Sequence, residues 1–458
     1  MAQKLAAAKG LSRLLALFLI ISIGLVQAKA QEVVRITTSK IKDLNLRLYG
    51  FVETDLISDS TQSFNEEQGN NLVQKNTASG GGADNYAGKH HRAQMGIRNS
   101  RLGFDLTLPK TDAGLQTHAV IELDFMGNNA TNTQPGTGPG TQTERDFFNN
   151  PAVRVRHAYL NLTYNEWNAK AGQYWSLLGW QPYYFPGESV VQPGVGQLYR
   201  RFAQIRAMNS HPLNEEWLFE TAADVAKPAE MNSGVPEFHG GLRLSSTKYK
   251  AANVGGAGSS MVGLSAALSG AIIPVRSSVG SANGEAATMD LFIPIIPSQD
   301  GKDKSNNLSL TGEIMSGRGV GGLEYSGLAM GVPAVTAAVA GTAIDSGIAG
   351  INANGNLELV RYRALRSNLQ YTLPGARWTA SAGYAQVEGR NLDRFATSVA
   401  ANNLLCPKIQ YGYVSLFYDP LSWLRFATEF NQTRDTYNDP ANRHAVNNRL
   451  QFTTFFVF

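Results

Sequence analysis

The sequence has one cysteine, few charged residues and a single long apolar run. Cys406 is the only cysteine among 458 residues, which excludes an intramolecular disulfide. Charged residues make up 17% of the chain, against about 25% in soluble domains. A hydrophobic content of 43% excludes a disordered chain. A mean hydropathy of −0.20 excludes a polytopic helical membrane protein.

The apolar run lies near the start of the sequence, from Leu14 to Val26. As a helix it would span about 20 Å, less than the roughly 30 Å hydrocarbon core of a bilayer. Basic residues precede it, and Ala28 and Ala30 follow in an A-x-A arrangement. The pattern predicts a secretory signal peptide over residues 1–30. The alternative is an uncleaved anchor or a buried helix.

The formal charge of +4 would suggest a nucleic-acid or anionic-surface partner. Four of the 40 basic residues lie in the predicted signal peptide, whereas none of the 36 acidic residues does. The remaining chain is therefore neutral, and we expect no nucleic-acid partner.

Period-two alternation runs through the rest of the chain. Between residues 44 and 55, apolar or small residues such as Leu46 and Leu48 alternate with mostly polar neighbours such as Arg47. About 16 such segments of roughly 10 residues recur, the length that a tilted strand needs to cross a bilayer. We therefore expect one all-β domain over residues 44–458, preceded by a short periplasmic segment over residues 31–43.

The connections between these segments are of two lengths. Short turns are predicted at 109–114 and 419–422, and long glycine-rich loops at 59–88, 127–151, 273–307 and 328–355. Short turns at one end and long loops at the other are typical of outer-membrane barrels. A secreted β-sandwich shows similar alternation, but the export signal, the strand number and the aromatic last strand ending at Phe458 favour the barrel. The sequence thus predicts a transmembrane antiparallel β-barrel of about 16 strands in the outer membrane, with short periplasmic turns and long extracellular loops.

Two motifs suggest other chemistry. Gly317, Gly319 and Gly322 match G-x-G-x-x-G, but no helical pattern follows to hold a pyrophosphate. His90 and His91 have no third ligand at a convincing spacing. We therefore expect no cofactor, no metal and no enzymatic activity.

The segment 174–197 joins two strand-like segments and is rich in tryptophan, tyrosine and proline. One interpretation is a loop near 176–197 that folds into the barrel and constricts it. The other is an external aromatic loop or an interfacial girdle.

Strand parity predicts which charged side chains face the lumen. The basic candidates are Arg47, Arg101, Lys170, Arg200, Arg206, Arg366, Arg377, Arg425 and Arg449. The acidic candidates are Glu53, Asp55, Asp105, Glu122, Asp124, Glu220, Asp224 and Glu429.

Guanidinium groups bind carboxylates bidentately, so we expect a solute-facing cluster of Arg101, Arg200, Arg206 and Arg366. The predicted pore lining also includes Arg425, Tyr174, Glu122 and Asp124. The alternative is that many of these residues pair with one another and brace the wall. Arg156, Arg361 and Arg363 share the parity of apolar neighbours, which predicts a bulge or a strand end near them.

Several segments together resemble the DcaP-like porins of Gram-negative outer membranes. The matching segments are 48–52, 99–103, 156–160, 171–175, 204–206, 365–369 and 449–451, with terminal Phe458. The resemblance implies a homotrimeric barrel within outer-membrane lipid that admits small anionic solutes by diffusion. Family members can carry a periplasmic coiled coil, but residues 31–43 are too few for three heptads. A barrel acting as an enzyme or surface adhesin is the alternative function.

Overall fold

The computed structural model describes most of the predicted barrel. The described residues are 34–36, 43–61, 63–64, 66, 72–73, 91–127, 152–180, 188–189, 195–196, 198, 200–228, 233–277, 279–320, 347–352, 354–396, 398–441 and 443–458. The predicted signal peptide and most of the predicted long loops at 59–88, 127–151 and 328–355 lie outside these residues.

Long β-strands make up most of the described chain. They are β1 (Val34–Ile36), β2 (Leu44–Asp59), β3 (Arg92–Gly96), β4 (Arg101–Thr107), β5 (Gln116–Gly127), β6 (Ala152–Tyr164), β7 (Trp167–Trp175), β8 (Arg201–Pro212), β9 (Trp217–Ala226), β10 (Glu237–Gly255), β11 (Gly258–Ser277), β12 (Gly280–Ile296), β13 (Asn307–Arg318), β14 (Ala349–Ile351), β15 (Leu357–Leu359), β16 (Arg361–Thr372), β17 (Trp378–Gly389), β18 (Lys408–Leu421), β19 (Leu424–Thr436) and β20 (His444–Val457). A 3₁₀-helix (Leu392–Phe395) and helix α1 (Val399–Asn403) follow β17. Within the described ranges, no helix is both long and apolar enough to cross a membrane.

The strands close into one antiparallel barrel. Each wall strand pairs with the next wall strand along the chain, with β13 pairing with β16, and β20 pairs with β2 to close the ring. Both β3 and β4 pair with β2, so they are two halves of one wall strand interrupted at 97–100. β1 pairs with the start of β2, and β14 and β15 form a separate small hairpin. The wall therefore has sixteen strands, which confirms the predicted fold class.

The two ends of the barrel differ, as the sequence predicted, with one exception. Tight turns join β6 to β7, β10 to β11 and β18 to β19 at the end where the chain terminates. The predicted long loop at 273–307 is wrong, because it contains β12 and the end of β11. The many small residues of this segment are typical of a loop when only the sequence is considered. In the structure they lie in strands, where small inward residues such as Ala286 leave room for the segments that fill the lumen.

The outward face of the wall is apolar and carries an aromatic belt. Side chains such as Leu48, Val52, Ile205, Leu268 and Ile314 are exposed there. Near the turn end, four rings on adjacent strands stack with centroid separations of 4.2, 6.5 and 6.3 Å. These rings are Trp378, Tyr418, Phe426 and Phe452. An apolar band bordered by aromatic rings is the surface that a bilayer requires of a barrel.

The structure accounts for the residues that conflicted with strand parity. Arg156 lies at a β-bulge, where Glu122 pairs with His157 and Leu123 with Val155. The extra residue turns Arg156 into the lumen, where it is buried. Arg361 and Arg363 lie at the loop end of β16 and are exposed on the outward face. Arg377 precedes β17 in an exposed turn, so its predicted inward position is wrong.

Candidate functional site: the lumen

The inward side chains of the barrel form two contrasting surfaces. We call the inward faces of β2 and β4–β9 the charged wall, because ion pairs dominate them. We call the inward faces of β11–β13 and β16–β20 the packed wall, because segments folded into the lumen cover them. β10 lies between the two surfaces and continues into one of the covering segments.

A first network of the charged wall centres on two carboxylates of β5. Glu122 and Asp124 are both buried and share the guanidinium of Arg156, with N–O distances of 2.7 and 3.0 Å. Arg154 forms two hydrogen bonds to Asp124, at 2.9 and 2.7 Å. Arg101 lies 3.6 Å from Glu122. Because the bulge in β6 orients both Arg154 and Arg156 inward, three arginines converge on two acids.

A second network connects β8, β9 and β10. Arg206 contacts Asp224 at 2.9 Å and donates to the carbonyl oxygen of Trp175. His239 Nδ1 lies 2.6 Å from Asp224, and its Nε2 lies 3.5 Å from Glu237. Arg200 binds Glu237 with two hydrogen bonds of 2.7 and 3.1 Å. All five side chains are buried, so this network stabilises the wall.

Aromatic side chains connect the two networks. The ammonium group of Lys170 lies 3.4 Å from the ring centroid of Tyr174 and 4.3 Å from that of Tyr159. The two tyrosine rings are 4.9 Å apart, and Tyr174 also contacts His157. A cation held between ring faces in this way is stabilised by their quadrupoles.

In three ion pairs of the charged wall, Arg47–Asp105, Arg101–Glu122 and Arg154–Asp124, the basic side chain is more exposed than its acidic partner. The side-chain exposures are 47% for Arg47 against 16% for Asp105, and 23% for Arg101 against 9% for Glu122. Arg154 is 30% exposed, while its partner Asp124 is fully buried. The carboxylates therefore lie behind the guanidinium groups, and the lumen faces the positive side of these pairs.

The packed wall is covered first by the segment that connects β7 to β8. Leu177 and Trp180 pack against inward residues of β9–β12. A side chain at position 241 would come within 2.6 Å of the Trp180 ring, so only glycine permits this approach. Further along, Leu178, Val195 and Leu198 join an apolar core with inward residues of β11–β18.

Polar contacts fix this segment to the wall. Arg366 on β16 binds the carboxylate of Glu188 and the carbonyl oxygen of Val195, both at 2.6 Å. Glu429 on β19 accepts hydrogen bonds from the backbone nitrogen and hydroxyl group of Ser189. Burial raises the pKa of Glu188 to about 7, against the opposing attraction of Arg366. Charge-assisted hydrogen bonds of this kind are stronger than neutral ones.

The turn between β10 and β11 also enters the lumen, which the sequence did not predict. Ala252 and Val254 are buried among Phe51, Phe417 and Phe455 on the far side of the barrel. Gln370 exchanges two hydrogen bonds with the backbone of Val254. Gly256 donates to the carbonyl oxygen of Glu188, so this hairpin meets the β7–β8 segment inside the barrel. The glycines and alanines of 251–258 were the only sequence signal for this close packing.

The structure separates the eight predicted pore residues into four places. Arg101, Glu122 and Asp124 belong to the first network, while Arg200, Arg206 and Tyr174 belong to or border the second. Arg366 holds the β7–β8 segment. Arg425 binds Asp419 and the carbonyl oxygens of Gly256 and Gly258, and so holds the hairpin. All five arginines therefore have a carboxylate partner, as the wall-bracing alternative expected.

Sequence reasoning missed His157 and His239, which occupy the two networks without a recognisable motif. Among the described residues, no group of three or more histidine, cysteine or acidic side chains could hold a metal ion.

Known structures with the same architecture exist, although no protein-family model matches the sequence and no curated protein matches it significantly. The outer-membrane channel DcaP of Acinetobacter baumannii superposes with a TM-score of 0.62 at 16% identity, covering 93% of this chain and 99% of that one. The fold is that of an outer-membrane porin. An anion-selective porin from Comamonas acidovorans superposes with a TM-score of 0.50 at 11% identity, covering 91% of this chain and all of that one.

At these identities the likeness concerns the fold. The resemblance to DcaP-like porins predicted from the sequence is confirmed at that level. Together with the apolar outward face, the porin fold places the protein in an outer membrane, as predicted.

Proposed function

We propose that the protein is a porin that admits small hydrophilic anions, of the carboxylate type, by passive diffusion along the charged wall. The observation that carries this proposal is the unequal exposure within the pairs Arg47–Asp105, Arg101–Glu122 and Arg154–Asp124. Since the acids lie behind the bases, an entering solute meets guanidinium groups first. Guanidinium groups bind carboxylates with matched geometry, and a one-signed surface concentrates counter-ions within a narrow lumen.

In this proposal, residues 176–197 are the constriction loop and the in-folded hairpin narrows the pore further. Both segments cover the packed wall, so the remaining passage follows the charged wall. Arg101, Tyr174 and Lys170 then line the passage, while the buried Arg206 braces the wall through Asp224 and Trp175. Arg366 and Arg425 act by holding the two covering segments.

A homotrimer is part of the proposal. The outward face carries two pairs of amide side chains, Gln386 with Gln410 and Gln432 with Asn448. Amides are costly against hydrocarbon, which supports a protein neighbour on this part of the wall. The native mass of the detergent-solubilised protein tests the assembly, and a monomeric mass would refute it.

Reversal potentials across a planar bilayer under a salt gradient test the pore and its preference. We expect conductance with anion preference in the wild type. The variant Arg101→Gln/Arg154→Gln should shift the reversal potential toward cation preference, because Glu122 and Asp124 would lose part of their compensation. Arg377→Gln is the matched control, since this arginine lies in an exposed turn.

Cation preference in the wild type would refute the anion proposal. A protein that inserts but does not conduct would refute the porin and favour the enzyme or adhesin alternative. An unchanged potential in the double variant would show that these arginines do not set the preference. We propose no enzymatic activity and no cofactor.

A further inference from the structure

Five arginines gather on the outward face of the barrel at its loop end. We call them the rim arginines: Arg318, Arg361, Arg363, Arg390 and Arg394. Four of them line a cleft of about 720 Å³ beside the 3₁₀-helix that follows β17, together with Glu285 and Asp393. Arg363 lies two residues along β16 from Arg361 and is likewise exposed. The lumen networks do not involve these side chains.

The positive charge of this cluster is only partly balanced. Arg318 pairs with Glu285 at 3.1 Å, and Arg394 pairs with Glu358 at 2.8 Å. Among the residues that the structure describes, no carboxylate lies within ion-pair distance of Arg361, Arg363 or Arg390. The remaining acid of the cleft is Asp393, and Glu388, the cross-strand partner of Arg363, lies 3.5 Å from Lys408, so these two acids do not balance all three charges.

The strand register places like charges opposite one another. Arg318 on β13 is the direct partner of Arg361 on β16, and both side chains face outward. Directly opposed side chains have Cβ atoms about 5 Å apart, and like charges at this spacing are destabilising. An anion bound between the two guanidinium groups would remove this repulsion.

The cluster lies immediately beyond the apolar belt. Leu365 and Ile314 are exposed on the same faces of β16 and β13. At about 3.4 Å per residue, Arg363 lies roughly 7 Å beyond Leu365 along the strand, and Arg318 roughly 14 Å beyond Ile314. This is the level at which hydrocarbon gives way to lipid headgroups.

We propose that the rim arginines bind the phosphate groups of an anionic lipid headgroup in the surrounding leaflet. Guanidinium forks bind phosphate oxygens bidentately. An open site on the outward face, at headgroup depth, is reached by a membrane lipid as readily as by a dissolved anion, and the lipid chains gain contact with the apolar belt below. The proposal depends on the barrel lying in a membrane and is independent of what passes through its lumen.

Native mass spectrometry of the detergent-solubilised protein with a bisphosphorylated lipid A tests the site. We expect a retained lipid on the wild type and about tenfold weaker retention in Arg361→Gln/Arg363→Gln, corresponding to about 1.4 kcal/mol. Arg434→Gln is the matched control, because Arg434 is also exposed on the outward face but lies on β19, away from the cleft. The charge-preserving Arg361→Lys/Arg363→Lys should recover part of the retention.

Two further arms separate the sources of the ligand. Lipid A without its phosphates should be retained no better by the wild type than by the double variant. Inorganic phosphate at millimolar concentration should not displace the bisphosphorylated lipid.

Equal retention by the wild type and the double variant would overturn the proposal, as would full retention of the dephosphorylated lipid or displacement by free phosphate. Heat-modifiable migration in gel electrophoresis checks that each variant is folded. If the double variant does not fold, Arg390→Gln alone carries the same test.

Discussion

The charged wall and the packed wall use the same residue types for opposite purposes. On the charged wall, Arg47, Arg101 and Arg154 pair with acids of the wall itself and remain partly exposed to the lumen. On the packed wall, Arg366 and Arg425 are buried and hold the backbone of other segments. An arginine with one carboxylate partner and free access to water can meet a solute. An arginine whose guanidinium group binds both a carboxylate and a carbonyl oxygen instead holds another segment in place.

The strongest test of this contrast removes the in-folded hairpin. Deletion of residues 250–262 should leave a short turn between β10 and β11 and open the lumen beside Phe51 and Phe455. Because pore conductance follows the open cross-section, we expect single-channel conductance to rise roughly twofold or more. Shortening the exposed turn at 301–303 is the control. Unchanged conductance would show that the hairpin does not limit the passage.

The second test removes Arg366, the arginine that holds the β7–β8 segment against the wall. Arg366→Gln leaves Glu188 buried without its cation, and breaking a buried pair in this way costs about 3–5 kcal/mol. Thermal unfolding in detergent should occur at a lower temperature, and channel recordings should become noisier as the segment detaches. Wild-type stability in this variant would contradict the assigned role of Arg366.

The third test uses pH, since Glu188 has a pKa raised from 4.5 to about 7 by burial. Between these values the folded state keeps the proton that the unfolded state releases, so stability falls as pH rises and levels off above pH 7. Lowering the pH from 8 to 5 should therefore strengthen attachment of the segment by about 3 kcal/mol. Glu429, Tyr411 and Arg366 also face this carboxyl group.

Unfolding of the wild type measured across this range should show the change, and Glu188→Gln should remove this contribution and leave a smaller pH dependence. The same pH dependence in the variant would assign the effect to another group.

The smallest effect is expected on the charged wall. Arg47→Gln removes one partner of an exposed pair, which contributes at most about 1 kcal/mol. Thermal stability should hardly change, in contrast to Arg366→Gln. A loss as large as that of Arg366→Gln would erase the distinction between the two walls.

Strand parity predicted much of the lumen correctly, because a strand buried on one face repeats every two residues. Glu122, Asp124, Arg101 and Arg206 all face inward as this rule requires. The rule failed at Arg156 because a bulge adds one residue without a sequence signal. The loop prediction for 273–307 failed because alanine and glycine, which are typical of loops, are also the residues that fit against a filled lumen.

The local sequence pattern does not predict which residues the buried arginines bind. Arg366 and Glu188 are 178 residues apart, and Arg425 contacts carbonyl oxygens 167 and 169 residues away. Sequence periodicity does not predict such contacts, since they depend on how the β7–β8 segment and the β10–β11 hairpin fold back into the closed barrel.

The sequence by itself determined the barrel, its approximate strand number, its apolar outer face and the membrane that suits it. These properties follow from alternation and composition, which act locally along each strand. Only the tertiary structure decided which arginines face water and which hold the in-folded segments. That choice depends on long-range packing inside the lumen, where burial and pairing are set by residues from opposite walls.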